Sequence, residues 1–237
     1  MDKILLVIGA RGGSKGVPNK NIRELNGVPL IAYTIVQAKK WGKASHVICS
    51  TDSDKIAAVA LQYGAEVPFM RPGELAGDKV GKIEVIRHAL LKMEEKTGEK
   101  YPIIIDLDAT APIRKIADIE GALKLFIEKR PKTLFSVVPA RKNPYFNMVE
   151  TNSQGYVELV KKPNVPVLRR QDAAKVYDMN ASIYVYDRDY LVDEDSRTTI
   201  SDRSLAWVMD DDSAIDIDTE TDFQFIEYLV NKGSVQL

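Results

Sequence analysis

Short apolar runs closed by glycine or polar turns alternate with amphipathic stretches along most of the chain. This rhythm predicts an α/β protein of three layers, with a mostly parallel open sheet covered by helices on both faces. Two further observations support that class. The apolar runs are continuous rather than alternating, as strands buried on both faces are. The spacing between them leaves room for one helix each, the connection that parallel pairing requires.

The elements follow in order. Lys3 to Ile8 is an apolar run ended by glycines, hence a buried strand. Pro29 to Lys40 reads as a helix, with proline suited to its first turn. His46 to Ser50 is a second strand. Ser53 to Tyr63 is a helix, with Ser53 or Asp52 as cap and Gly64 as stop. Glu66 to Met70 is expected to be a third strand. Val80 to Lys96 carries Val80, Ile83, Ile86, Leu90 and Met93 as a helical stripe. Tyr101 to Leu107 is a strand, Ala117 to Arg130 a helix, and Thr133 to Val138 a strand. From Arg141 to Lys175 prolines and polar turns interrupt the rhythm, which marks residues 140–176 as an insertion. The rhythm resumes with Ala181 to Tyr186 and Ser204 to Met209, and Thr219 to Lys232 closes the chain as a helix. There is no repeat and no linker, so 1–237 is expected to form one domain.

Bulk properties exclude several classes. Lys plus Arg number 33 against 34 Asp plus Glu, so there is no basic excess to hold nucleic acid by counterion release. No apolar run approaches a membrane span, and the start has no signal-peptide core. The single cysteine, Cys49, can form no internal disulfide, in keeping with a cytoplasmic protein. His46 and His88 stand too far apart to suggest a metal site.

The chemistry-bearing feature is "VIGARGGSKGVPNKNI", Val7 to Ile22, at the end of the first strand. Glycines let backbone N–H groups approach an oxyanion, and Arg11, Lys15 and Lys20 can neutralise it. Ligands of open α/β sheets sit at such strand ends. The spacing fits neither a Walker A loop nor the dinucleotide G-x-G-x-x-G fingerprint. Farther on, Asp106 and Asp108 lie two apart, and in "IDIDT" Asp216 and Asp218 alternate with Ile215 and Ile217. If extended, that segment turns both carboxylates to one side, a pattern that can hold Mg²⁺ together with phosphate oxygens. The plain alternative is a helix cap at Asp218 or Thr219. Asp210 to Asp212 read as a solvated loop.

The loop's pattern A-R-x-x-S-K-x-x-x-x-K-N, met here at Ala10, Arg11, Ser14, Lys15, Lys20 and Asn21, resembles that of the cytidylyltransferases that activate sialic-acid-like nine-carbon sugars. The resemblance extends over nearly the whole chain. Ser50-Thr51-Asp52 matches the family's "STD". Arg71 to Asp78 matches "RPxELAxD", and Leu107 to Arg114 stands where the family has "LQPTSPLR", with Asp108, Ala109 and Ala111 departing from it. Ile215 to Phe223 resembles "IDIDTxxDF", and Asn180 to Tyr184 resembles "NGAIY" with Ala181 in place of the glycine.

The resemblance implies a Rossmann-like nucleotidyltransferase fold and a reaction joining CTP to an acidic 2-keto sugar. It implies that Ala10, Arg11, Gly12, Ser14, Lys15 and Asn21 hold the triphosphate, and that Arg71, Ala76 and Asp78 line the base pocket. Arg11, Lys20, Asp216 and Asp218 would be catalytic, the last two holding Mg²⁺. Asp108, Thr110, Arg170, Gln171 and Asn180 would meet the sugar, with residues 140–176 serving as a homodimerisation arm that carries Arg170 toward the partner's site. Two alternatives stand beside this reading: a cytidylyltransferase for an eight-carbon keto-deoxy sugar, or a nucleotide-binding regulatory protein without turnover. Asp108 in place of glutamine, Ala111 in place of serine and Asp178 in place of an arginine lead us to expect a 5,7-diamido sugar such as legionaminic acid over N-acetylneuraminic acid.

Overall fold

The computed structural model describes residues 2–233. Its strands are β1 (Ile4–Gly9), β2 (Glu24–Leu25), β3 (Val28–Pro29), β4 (His46–Ser50), β5 (Ile103–Leu107), β6 (Thr133–Pro139), β7 (Val149–Thr151), β8 (Val157–Leu159), β9 (Tyr177–Asp187) and β10 (Ser204–Val208). Its α-helices are α1 (Leu30–Trp41), α2 (Asp54–Gln62), α3 (Lys82–Thr97), α4 (Ile116–Lys129), α5 (Arg188–Val192) and α6 (Glu220–Asn231).

Six strands form the central sheet in the order β10-β6-β9-β5-β1-β4. β1 pairs in parallel with β4 and β5, and β10 in parallel with β6. β9 runs antiparallel between β5 and β6. The three-layer, mostly parallel sheet is as the sequence predicts; the reversal of β9 was not legible there.

Period-two alternation divides the core. Leu6, Ile8, Ile103, Ile105 and Leu107 turn to one face and meet Ile31, Ile35, Phe126 and Ile119 of α1 and α4. Leu5, Val7 and Ile104 turn to the other face and meet Ile83, Ile86, Leu90 and Met93 of α3. Four of the five residues of the helical stripe read from the sequence form the buried face of α3; the fifth, Val80, precedes the helix. A third cluster packs α6, through Phe223 and Ile226, on Val17, Leu25, Leu30 and Ile217. It fastens the chain's last helix beside the glycine-rich loop.

Local chemistry sets the element ends. Ser53 Oγ accepts from the Ile56 N–H at 3.5 Å and starts α2. Thr219 and Asp222 exchange side-chain and backbone hydrogen bonds at the start of α6, a capping box. Asn26 and Gly27 carry φ of 52° and 76°, and this pair of left-handed residues makes the two-residue β2–β3 turn.

Two sequence expectations are corrected. Glu66 to Met70 forms no strand; only Glu66 bridges Ile48. Val67 and Phe69 then pack on the core without joining the sheet, and the chain leads on to Arg71. Residues 215–218 are likewise not a strand; one backbone bond, from the Ile217 N–H to the Thr110 carbonyl at 3.0 Å, ties them to the segment after β5 without forming a ladder. Burial does not alternate along them: Ile215 and Asp216 are both half-buried, Ile217 is fully buried, and the Asp218 side chain is 77% exposed. Within 140–176, β7 and β8 form a small separate antiparallel hairpin.

Candidate active site

The carboxyl ends of β1, β4 and β5 open onto a cavity of about 410 Å³. Arg11, Ser14, Lys15, Lys20 and Asn21 line it from the loop after β1, Arg71 from the segment after α2, Asp106, Asp108 and Thr110 from the end of β5, and Asp216 and Asp218 from the segment before α6. Five of these side chains are cationic if Lys82 at the start of α3 is counted, and four are carboxylates.

The glycine-rich loop is braced at each end. Asn21 is buried and its Nδ2 donates to the Arg11 carbonyl at 3.0 Å. The Ala10 N–H donates to the Ser50 carbonyl at 3.0 Å, and the Gly12 N–H donates to Asp52 Oδ1 at 2.9 Å. These bonds hold Ala10 and Gly12 behind the loop, and they, like Ala76 and Asp78, do not line the cavity itself. Asp78 sits over the loop, with Arg11 Nη1 at 2.7 Å and the Lys15 ammonium also bound to it. These two cations hold the Asp78 carboxyl below the usual carboxylate range. Arg71 is buried, and its Nε donates to Ser50 Oγ at 3.1 Å, which fixes the guanidinium at the cavity floor.

On the far wall, Lys20 Nζ donates to the Ile217 carbonyl and lies 3.3 Å from Asp218 Oδ1. Gly16 allows this approach: a Cβ there would stand 2.0 Å from the Asp218 carbonyl oxygen. Asp216 Oδ1 is buried without a hydrogen-bond partner. Burial, and then the charge of Asp108, push the Asp216 carboxyl up to about 6. A buried, unpartnered carboxylate oxygen beside an exposed carboxylate fits a hard divalent cation, which takes one or two carboxylates and completes its shell with phosphate oxygens and water. Among the described residues no three His, Cys, Asp or Glu side chains converge as a self-sufficient metal cage.

Sequence reasoning missed Lys82. Its Nζ lies 2.9 Å from Asp106 Oδ2, 3.0 Å from Asp108 Oδ2 and 4.5 Å from the centre of the Tyr184 ring. Burial opposes the ammonium's charge, but the two carboxylates outweigh it and raise its pKa well above the lysine range. Burial also raises Asp106, whereas for Asp108 the Lys82 contact and the Thr110 bonds overcome burial and keep it ionised. One signal was available: a lysine in the first turn of a helix opposes the helix dipole, and so calls for a nearby carboxylate.

Lys82 also changes how Asp108 reads. Asp108 Oδ2 takes Lys82, and Oδ1 takes Thr110 Oγ1 at 2.9 Å and the Thr110 N–H at 3.2 Å. Its charge is compensated inside the protein, and Ala111 is buried. Of the three departures behind the expected sugar preference, Ala111 is buried, Asp108 lines the first cavity with its charge already paired, and Asp178 lines a second, adjoining cleft.

That cleft, about 310 Å³, is lined among others by Arg141, Asp178, Asn180, Asp211 and Asp216, so Asp216 borders both spaces. Asn180 does not offer a free amide there: its Oδ1 accepts from Ser136 Oγ at 2.6 Å and its Nδ2 donates to the Ser213 carbonyl at 2.9 Å. It ties β9 to the segment that carries Asp216. Ala181 beside it has φ of 51°, the left-handed region, which accounts for the glycine that the resembled pattern has at that position. Arg170 and Gln171 line a third, separate depression, with Arg170 Nη2 donating to the Ala140 carbonyl at 2.8 Å. The structure therefore gathers the loop residues with Asp108, Thr110, Asp216 and Asp218, and leaves Arg170, Gln171 and Asn180 outside that cavity.

A cation-rich glycine loop facing paired carboxylates, at the carboxyl ends of parallel strands, defines a nucleotidyltransferase. The chain belongs to the cytidylyltransferase family, whose sequence profile matches residues 5–231. It is 44% identical over 236 residues to post-translational flagellin modification protein B of Campylobacter coli, covering 100% of this chain and 98% of that protein. It is 47% identical over 231 residues to CMP-N,N'-diacetyllegionaminic acid synthase of Campylobacter jejuni, covering 98% and 96%. Among solved structures, CMP:2-keto-3-deoxy-manno-octonic acid synthetase complexed with CTP superposes with a TM-score of 0.70 at 18% identity, covering 98% of this chain and 99% of that one, a likeness of fold. No described helix is long and apolar enough to cross a membrane.

Proposed function

We propose that this enzyme transfers a cytidylyl group from CTP to the anomeric hydroxyl of an acidic nine-carbon 2-keto sugar, N-acetylneuraminic acid or a relative such as legionaminic acid. The hydroxyl oxygen bonds to the α-phosphorus, the bond to pyrophosphate breaks, the hydroxyl proton is released, and CMP-sugar forms. One observation carries the reading: Asp216 is the wall shared by the cation-lined cavity and the adjoining cleft. A triphosphate in the first space and a sugar in the second would meet at that carboxylate. The name of the Campylobacter jejuni relative, a CMP-N,N'-diacetyllegionaminic acid synthase, agrees with such a donor and acceptor.

In this reading Arg11 and Lys15 exchange Asp78 for phosphate oxygens, and Lys20 neutralises charge beside Asp218 as the leaving group departs. Arg71, with the apolar Val80, Val85 and Ile86, forms the slot for the base. Asp216 and Asp218 would hold Mg²⁺, which when bound supplies positive charge against the phosphate oxygens. Asn180 and Gly16 keep that acidic segment against the loop. No nucleophilic cysteine takes part: Cys49 is buried, and burial pushes its thiol up to about 12.

We further read the enzyme as a cytoplasmic homodimer. The 140–176 segment exposes Val149, Tyr156, Val157, Val165 and Leu168, the last at 84%, an apolar face suited to a second subunit. Arg170 and Gln171 lie on that same segment, outside their own subunit's cavity.

The test is pyrophosphate release from each of the four nucleoside triphosphates with N-acetylneuraminate, legionaminate and pseudaminate, with and without Mg²⁺. CTP and at least one of these sugars should be required together. Release with another nucleotide in preference to CTP, or with no acidic sugar present, would refute the reading.

A further inference from the structure

The cleft beyond Asp216 poses an electrostatic problem for the sugar proposed above. Its lining holds four carboxylates, Asp178, Asp211, Asp216 and Asp222, and one cation, Arg141. Asp222 is committed to the start of α6, where it accepts from the Asp218 and Thr219 N–H groups at 3.1 and 2.7 Å. With Asp216 assigned to Mg²⁺ above, Asp178 and Asp211 still face a ligand that itself carries a carboxylate. Like charges brought together in a partly desolvated cleft repel unless a cation stands among them. Among the described residues Arg141 is bound in no ion pair and no side-chain hydrogen bond, and it is exposed just past the end of β6.

The strand register explains its position. Val138 of β6 pairs with Asp178 of β9, so the chain leaving β6 passes beside the place where the resembled family has an arginine and this chain has an aspartate. Asp178 and Arg141 therefore border the same cleft from neighbouring strands. Arg170 does not reach that cleft from within its own subunit, since its guanidinium bonds the Ala140 carbonyl.

We propose that Arg141, just past the end of β6, receives the carboxylate of the acidic sugar in the cleft where this chain carries Asp178 in place of an arginine. The inference rests on the functional reading above. A guanidinium accepts a carboxylate through two parallel N–H···O bonds, which fixes orientation as well as position. With the carboxylate seated there, the adjacent anomeric carbon is directed toward Asp216 and the nucleotide. Asp178 is then an acceptor for hydroxyl or amide N–H groups of the sugar.

The test compares N,N'-diacetyllegionaminic acid with its methyl ester at saturating CTP and Mg²⁺. The wild type should strongly prefer the acid. Arg141→Ala should raise the KM for the acid about 10- to 100-fold, the loss expected for a charge-assisted pair, and bring acid and ester close together. Its dissociation constant for CTP should stay within about twofold of the wild type, a readout that a general structural defect would move. Arg141→Lys should recover part of the preference for the acid, and Arg141→Ala combined with Asp178→Arg should recover more. Full preference for the acid in Arg141→Ala, with its loss in Arg170→Ala, would assign the carboxylate to Arg170 instead and overturn the proposal. Parallel loss of CTP binding in Arg141→Ala would overturn it as well. A wild type that turns over neither N,N'-diacetyllegionaminic acid nor N-acetylneuraminate would remove the functional reading itself, an outcome distinct from a working wild type matched by Arg141→Ala.

Discussion

Gly16→Ala is the sharpest single test of the active-site geometry. The added Cβ would lie 2.0 Å from the Asp218 carbonyl oxygen, whereas side-chain carbons keep at least about 3 Å from such an atom. Both partners are backbone-attached, so no side-chain rotation relieves the contact. The loop and the 215–218 segment must separate by roughly 1 Å, a misplacement that can cost about 100-fold in rate at a reacting centre. What separates is the pairing of Lys20 with Ile217 and Asp218, so the loss should fall on kcat. Arg11, Ser14 and Lys15 remain on their own side of the gap, and the CTP dissociation constant should move by only a few-fold. The overpacking itself should cost about 1–3 kcal/mol of stability, which leaves the protein folded. Gly13→Ala is the control, because a Cβ there meets nothing within 4 Å. Initial rates of pyrophosphate release at saturating CTP and sugar, with calorimetric CTP binding, separate the two variants. A Gly16→Ala kcat within twofold of the wild type, or an equal loss in Gly13→Ala, would refute the reasoning.

Four other outcomes are expected. Asp218→Asn should lower kcat by about 100-fold or more, and chelation should abolish turnover until Mg²⁺ is restored; undiminished rates for Asp216→Asn/Asp218→Asn in EDTA would sink the carboxylate assignment. The raised Asp216 carboxyl, at about 6, penalises the free fold at neutral pH, a contribution to stability that is present at low pH and lost as pH rises through 6. Asp216→Asn should therefore raise the Tm of the metal-free protein at pH 7 while it removes activity, and a lowered Tm would contradict this. Glu94 behaves oppositely: burial opposes its charge, but Arg188 at 2.7 and 2.9 Å and Lys100 at 2.5 Å bring its carboxyl down to about 2. The stability it adds is full above about 4.5 and lost as pH falls toward 2, so Glu94→Gln should cost about 2–3 kcal/mol at pH 7 and almost nothing at pH 2 in chemical denaturation, a difference that a pH-independent cost would disprove. Finally, mixing Arg170→Ala with Lys20→Ala subunits should restore roughly a quarter of wild-type activity if each site in a dimer borrows Arg170 from its partner; a monomer by light scattering, or a mixture that stays inactive after subunit exchange, would rule that out.

The sequence by itself determined what is local. The glycine loop from Gly9 to Asn21 is contiguous with β1, so its residue types and its place at a strand end could be read together, and the stripe on α3 and the cap at Ser53 follow from spacing and side-chain chemistry alone. The tertiary structure decided what depends on residues far apart in the chain. An apolar run such as Ala181 to Tyr186 has the same composition whether its neighbours run with it or against it, so the antiparallel place of β9 between β5 and β6 became visible only with its partners. That pairing sets Arg141 and Asp178 on one cleft and turns the Asn180 amide inward. Likewise Lys82 and Asp108 are 26 residues apart, and each read singly is an ordinary helix-terminal lysine and a strand-end aspartate. Only the packing of α3 on β5 brings them to 3.0 Å, where burial makes each charge costly without the other.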